Sequence, residues 1–139
     1  MAKSFVVDNS VIMTWFFKDQ ANSYADSILD RLSEATAYVP SVWPLEVVNV
    51  LVLAERKRCI SLADSVRFIS MLSKLPILVQ HESQSKVLKD LLNLARTREL
   101  SSCDASYLDL AMTKGLPLAT LDKKLRRAAK SVNIVILSE

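Results

Sequence analysis

Apolar residues fall along this chain in two alternating rhythms. Phe5, Val6 and Val7 form an unbroken apolar triplet ending at Asp8, the pattern of a strand buried on both faces. Ser10 or Asn9 can cap a helix after it. Ala25, Ile28, Leu29 and Leu32 recur at helical spacing, and residues 37–39 read as a second strand closed by Pro40. Pro44 suits the start of another helix, where its missing N–H costs nothing, and Val47, Val50, Leu51 and Ala54 continue it to the charged cluster at 55–58. Ser61 with Asp64 predicts a capping box for a helix that ends before Pro76. Residues 77–79 are a third strand. Val87, Leu88, Leu91, Leu92 and Ala95 predict one helix, and Ser101 caps the next, which ends at Gly115 in the left-handed conformation. Residues 116–120 form a fourth strand, 123–130 a short basic helix and 133–137 a fifth strand. Strands alternating with helices predict an α/β fold, a three-layer sandwich whose parallel sheet is covered on both faces.

Composition narrows the chemistry. The 139 residues, 50% hydrophobic and 24% charged, suit one globular domain spanning 1–139. The single glycine, Gly115, rules out a Gly-rich phosphate loop, and the single histidine, His81, rules out a multi-histidine zinc site. Cys59 and Cys103 form no CxxC pair, so a reduced, cytoplasmic protein is the expectation. Both read as inert packing residues, and His81 as a surface residue. The longest apolar run, residues 50–54, falls far short of the roughly 20 a membrane span needs. Asp8 breaks the first apolar stretch as no secretory signal would allow, so no membrane association is expected. A net charge of +3 permits a nucleic-acid partner without requiring one.

Four acids fall where such a sheet binds ligands, outside the carboxyl ends of its strands. Asp8 ends the first strand, Glu46 lies in the first turn of the helix after the second, and Asp122 follows the fourth. Asp104 heads the stripe Asp104, Tyr107, Leu108, Ala111, which is the core-facing side of its helix. Each has a plainer reading: Asp8 and Asp122 suit turns, while Asp104 and Glu46 suit the positive ends of helices. Together they would repel, by about 4 kcal/mol for a close pair at an effective dielectric near 20, unless a cation joins them. An all-oxygen cluster selects a hard divalent ion, Mg²⁺ or Mn²⁺.

Supporting groups lie nearby. Ser10 and Thr120 stand two residues from Asp8 and Asp122, where a hydroxyl can orient a carboxylate, or serve only as a cap and a strand end. Asn49, one turn after Glu46, is placed to hold it by a hydrogen bond or is an amide satisfied elsewhere. Six basic residues fall between Lys114 and Lys130, among them Lys123, Lys124, Arg126 and Arg127, against the single acid Asp122. This helix reads as a grip on a phosphodiester backbone or as a solvated amphipathic face.

At these residues the sequence resembles the PIN-domain ribonucleases, and within them the VapC-type toxins of toxin–antitoxin pairs. The matching stretches are FVVDNS at the start, VPSVWPLEVVNVL around Glu46, LSSCDASYLDLA around Asp104 and GLPLATLDKKL around Asp122. By resemblance, Asp8, Glu46, Asp104 and Asp122 match the acidic quartet of metal-binding and catalytic residues, and Ser10 and Thr120 its flanking hydroxyls. Ser131 departs from the glycine many members carry before the last strand. The resemblance implies a sheet of order 3-2-1-4-5, Mg²⁺-dependent hydrolysis of RNA by activated water, homodimers, and a small antitoxin whose tail covers the acidic cleft. Asp8 and Asp104 are then direct ligands, Asp122 completes a second metal position or acts through water, and Glu46 orients or activates the attacking water. Ile12 or Trp15 on the first helix offers itself as a dimer contact or as core.

Two other phosphoryl-handling folds fit less well. A phosphoacceptor receiver domain needs an adjacent acidic pair where this chain has Asp8–Asn9, and a haloacid-dehalogenase-type phosphatase needs an Asp where it has Ser10. The remaining alternative is a catalytically weak PIN fold that binds RNA or a protein.

Overall fold

A computed structural model describes residues 3–139. Four parallel strands, β1 (Phe5–Val7), β2 (Ala37–Pro40), β3 (Ile77–Gln80) and β4 (Leu118–Ala119), form one sheet in the order β3-β2-β1-β4. Phe5, Val6 and Val7 point alternately to the two faces of the sheet and all three are buried, so both faces of the central strand are covered, as an apolar run without alternation requires. The helices are α1 (Asn9–Thr14), α2 (Ser23–Arg31), α3 (Trp43–Arg56), α4 (Leu62–Ser73), α5 (Gln84–Lys86), α6 (Leu92–Arg98), α7 (Ser102–Lys114) and α8 (Lys123–Ser131). Among them, α7 packs along β1 and β2.

Local chemistry explains most element ends. Ser61 accepts the N–H of Asp64 while Asp64 accepts that of Ser61, so the capping box of α4 is complete. Ser101 caps α7 through the N–H of Asp104, and Gly115 ends that helix at φ 64°. With no other glycine available, Arg58, Glu99 and Asn133 also take left-handed backbone, each at a cost of about 1 kcal/mol.

Several expectations are corrected. The helix predicted through Val87–Ala95 forms within one unbroken helical run over residues 84–98, but its pitch is not uniform: a π-helical turn, Val87–Leu91, lies between α5 and α6. The fifth strand reduces to one parallel bridge, Leu118 to Ile136, held by Leu118 N–H to Val135 O and Leu137 N–H to Leu118 O, both at 2.9 Å. The left-handed turn at Asn133 and a two-residue β4 leave no ladder to extend. The order 3-2-1-4 is otherwise as expected, with the bridge where the fifth strand would lie. Asp8, not Asn9 or Ser10, is the N-cap of α1, although its carboxylate does not cap. Ile12 is fully buried and belongs to the core, while Trp15 is half-buried, packs on the core and donates its indole N–H to the Ala25 carbonyl at 2.9 Å. Cys59 is exposed, contrary to a packing role. His81 is exposed as expected.

Candidate active site

The chain leaves β1 and runs outward through β2 to β3, then returns to add β4 on the other side of β1. Between β1 and β4 the direction of winding reverses, and the outgoing chains part at their carboxyl ends to leave a crevice. Asp8 and Thr120 stand at that point. The register pairs Val6 with Leu118 and Val7 with Ala119, and the Asp8 N–H donates to the Ala119 carbonyl at 2.9 Å, so the next residues outward, Asp8 and Thr120, are neighbours.

Asp8 is 5% exposed. Its Oδ2 accepts from Thr120 Oγ1 at 2.6 Å and from Ser10 Oγ at 2.9 Å. The two hydroxyls are themselves oriented: Ser10 Oγ accepts the Leu121 N–H at 3.1 Å, and Thr120 Oγ1 accepts the Asp122 N–H at 3.0 Å. Each hydroxyl has one proton, and both protons go to Asp8. Ser10 and Thr120 thus serve as carboxylate-orienting groups, beyond a cap or a strand end.

Glu46 reaches the same crevice from the first turn of α3. Its helix start is tied to α1 by Trp43 Nε1, which donates to Asn9 Oδ1 at 3.0 Å in a buried contact. Glu46 Oε1 accepts a short hydrogen bond from the Tyr107 hydroxyl on α7. Asn49, expected to hold Glu46, is exposed and plays no such part, because the turn of α3 carries it to solvent. Asp104 lies one turn before Tyr107 on α7, and Asp122 caps α8 with Oδ1, accepting the N–H groups of Lys124 at 2.8 Å and Leu125 at 3.2 Å. The plainer reading of Asp122 is therefore correct in part, since it is both a cap and a wall of the cleft. For Asp104 the capping acceptor is Ser101 Oγ, which leaves its carboxylate to the cleft.

Asp8, Glu46, Asp104 and Asp122 all line one cleft of about 540 Å³. Three of the four carboxyls, those of Asp8, Glu46 and Asp104, are raised, chiefly by burial and in smaller part by neighbouring acids. Burial pushes the Asp8 carboxyl above the usual aspartate range, against the Thr120 and Ser10 hydrogen bonds, with Asp122 adding to the rise. Burial likewise raises Glu46, which Tyr107 opposes and Asp8 and Asp104 reinforce; Asp104 is raised by burial and then by Asp8 and Asp122. No basic side chain forms an ion pair with the four among the described residues. The oxygen-only donor set and its uncompensated charge fit a hard divalent cation. Among the described residues no group of three such side chains stands close enough to hold one ion by itself.

The basic helix divides. Lys123, Lys124 and Arg127 are exposed. Arg126 is half-buried and tied inward: its Nε donates to the Thr120 carbonyl at 2.7 Å and its guanidinium stacks 4.7 Å from the Tyr24 ring. It braces the turn that delivers Thr120 and Asp122.

Three residues take polar roles that the sequence does not assign them. Tyr107 belongs to the core-facing stripe, yet a buried tyrosine hydroxyl needs a partner, and that requirement is the available signal. Asn9 is offered by the sequence only as a helix cap, whereas its side chain accepts from Trp43. Asp109, buried on α7 inside an apolar run, pairs with Lys86 Nζ at 2.7 Å and joins α5 to α7.

A model of the PIN domain family matches residues 5–131, and the chain belongs to that family. Solved structures share the fold. PAE2754 from Pyrobaculum aerophilum is 23% identical with a TM-score of 0.69, over 92% of this chain and 87% of that one. A chain of a toxin–antitoxin complex from Klebsiella pneumoniae is 18% identical with a TM-score of 0.59, over 86% and 88%. FitAcB from Neisseria gonorrhoeae is 15% identical with a TM-score of 0.57, over 96% of each chain. At such identities the likeness is one of fold. No curated protein matches the sequence. Among the described residues no helix is long and apolar enough to cross a membrane.

Proposed function

We propose that this chain is a Mg²⁺- or Mn²⁺-dependent endoribonuclease, the toxin of a toxin–antitoxin pair acting in the cytoplasm. One observation carries the reading: four acids from four separate elements line a single cleft at the switch point of the sheet, with no cation among the described side chains to pair them. Membership of the PIN family supports nuclease chemistry, and the fold shared with a toxin–antitoxin complex supports the assignment as toxin.

Asp8 and Asp104 would hold the ion, with Asp122 at a second metal position or acting through water. When bound, such an ion supplies positive charge to the phosphate under attack and brings the pKa of water near neutrality. Ser10 and Thr120 keep the Asp8 carboxylate in one orientation. Glu46 orients the attacking water and accepts its proton. Lys123, Lys124 and Arg127 grip the RNA backbone. A small antitoxin whose tail covers the cleft, and a homodimeric state, complete the proposal.

Purified protein free of antitoxin is expected to cut RNA with Mg²⁺ or Mn²⁺, to stop with EDTA, and to leave 5′-phosphate and 3′-hydroxyl ends. Cleavage that persists in excess chelator, or a 2′,3′-cyclic phosphate product, overturns the mechanism. RNA binding without cleavage would instead favour a binding module. Growth arrest on induction, relieved by co-expression of a small neighbouring protein, tests the toxin assignment; a solely monomeric protein at micromolar concentration removes the dimer.

A further inference from the structure

Among the described residues, the Tyr107 hydroxyl is the one group that hydrogen-bonds the carboxylate of Glu46. Tyr107 is fully buried, its hydroxyl donates to Glu46 Oε1, and burial and then Glu46 push its phenol upward. It stands one turn after Asp104 on α7, while Glu46 stands on α3, so a single rigid helix carries one acid directly and orients a second through a hydrogen bond. Glu46 lines the cleft, and with Oε1 engaged by the phenol its Oε2 is the oxygen left to act there.

We propose that Tyr107 is a positioning residue for RNA hydrolysis: its hydroxyl fixes the rotamer of Glu46 so that one oxygen faces the attacking water. The inference rests on the endonuclease reading above. A carboxylate in the first turn of a helix has several staggered rotamers open to it, and half-burial alone does not select one. The phenol selects it without entering the cleft. Groups that orient a reacting side chain in this way typically contribute 10–100-fold to activity.

The test is a double-mutant cycle with Tyr107→Phe and Glu46→Ala, read alongside wild type and Asp104→Asn in one RNA-cleavage assay. Tyr107→Phe keeps the ring and loses only the hydroxyl, so kcat is expected to fall 10–100-fold while KM for RNA and Mn²⁺ affinity by calorimetry stay within about twofold. In the Glu46→Ala background the same change is expected to cost nothing further in kcat. The cycle also has a readout independent of activity. Tyr107→Phe lowers Tm where Glu46 is present and no longer does so where Glu46 is Ala, because the hydroxyl then has no carboxylate partner to lose. Wild-type kcat for Tyr107→Phe, or losses that multiply in the double variant, would overturn the positioning role while Asp104→Asn still reports on the nuclease. A wild type inactive with both metals overturns the endonuclease reading and this inference with it.

Discussion

Thr120 Oγ1 donates to Asp8 Oδ2 at 2.6 Å and accepts the backbone N–H of Asp122 at 3.0 Å, so one hydroxyl joins two acids that lie more than a hundred residues apart in the chain. The register of β1 with β4 makes this contact, and the tight turn through Leu121 completes it. Thr120 is fully buried, so neither bond is shared with bulk water.

Thr120→Val keeps the shape and removes the hydroxyl. The Asp8 carboxylate then loses a buried, charge-assisted bond, which costs about 1.5–3 kcal/mol at neutral pH. Cleavage is expected to fall 10–100-fold, since Asp8 is left with Ser10 alone to orient Oδ2. Urea melts and an RNA-cleavage time course check both, and unchanged activity would reduce Thr120 to a core residue.

Asp104→Asn separates catalysis from stability. The N-cap of α7 is the bond from the Asp104 N–H to Ser101 Oγ, which the change leaves in place, while one charge of a mutually repelling set disappears. Cleavage is expected to vanish, the metal-free protein to melt at the same temperature or higher, and Mg²⁺ to stabilise it less, since that effect follows affinity for the native state. A variant that is active but about 1 kcal/mol less stable would mark Asp104 as a helix-end acid only.

The raised carboxyls also set a pH dependence. Asp8, Glu46 and Asp104 sit above their ordinary values of 3.8, 4.5 and 3.8, chiefly through burial, so the native state binds protons more tightly than the unfolded chain does. Their protonated forms stabilise the fold fully below those ordinary values, and the contribution is lost as pH rises through the folded values. In EDTA, wild type is expected to lose more stability than Asp104→Asn as pH rises from the ordinary carboxylate values toward neutrality. Parallel slopes in denaturant titrations would contradict this.

Charges on α8 are expected to act in two ways. Lys123, Lys124 and Arg127 changed together to Gln should weaken RNA binding and flatten its salt dependence by up to about one unit of slope per lost phosphate contact. Arg126→Gln should instead lower Tm, because it removes the brace on the Thr120 carbonyl and the stack on Tyr24, and should leave the salt slope alone. A reduced slope in Arg126→Gln would return that residue to the RNA-binding face.

Much of the molecule was legible along the chain because its signals are local. The apolar triplet before Asp8, the paired Ser61 and Asp64, and Gly115 at the end of α7 each act within a few residues, and each forms as read. The acids could be picked out for the same reason: they follow strands or open helices, where an α/β sheet exposes its edge. The short β4, the bridge at Ile136 and the π-helical turn were not legible, since strand length and local helix pitch depend on which partners lie alongside.

The sequence by itself determined the alternation of elements and the identity of four carboxylates as the candidate donors. Only the tertiary structure decided how those donors are held. Glu46 is held by Tyr107 and not by Asn49, because a side-chain partner is chosen by which helices pack together. Arg126 turns inward while Lys123, Lys124 and Arg127 face solvent, because charge is a property of the residue but exposure is set by the surface its helix presents. Thr120 meets Asp8 because a parallel register aligns two strands distant in the chain, and register is fixed by burial across the sheet, which no local pattern encodes.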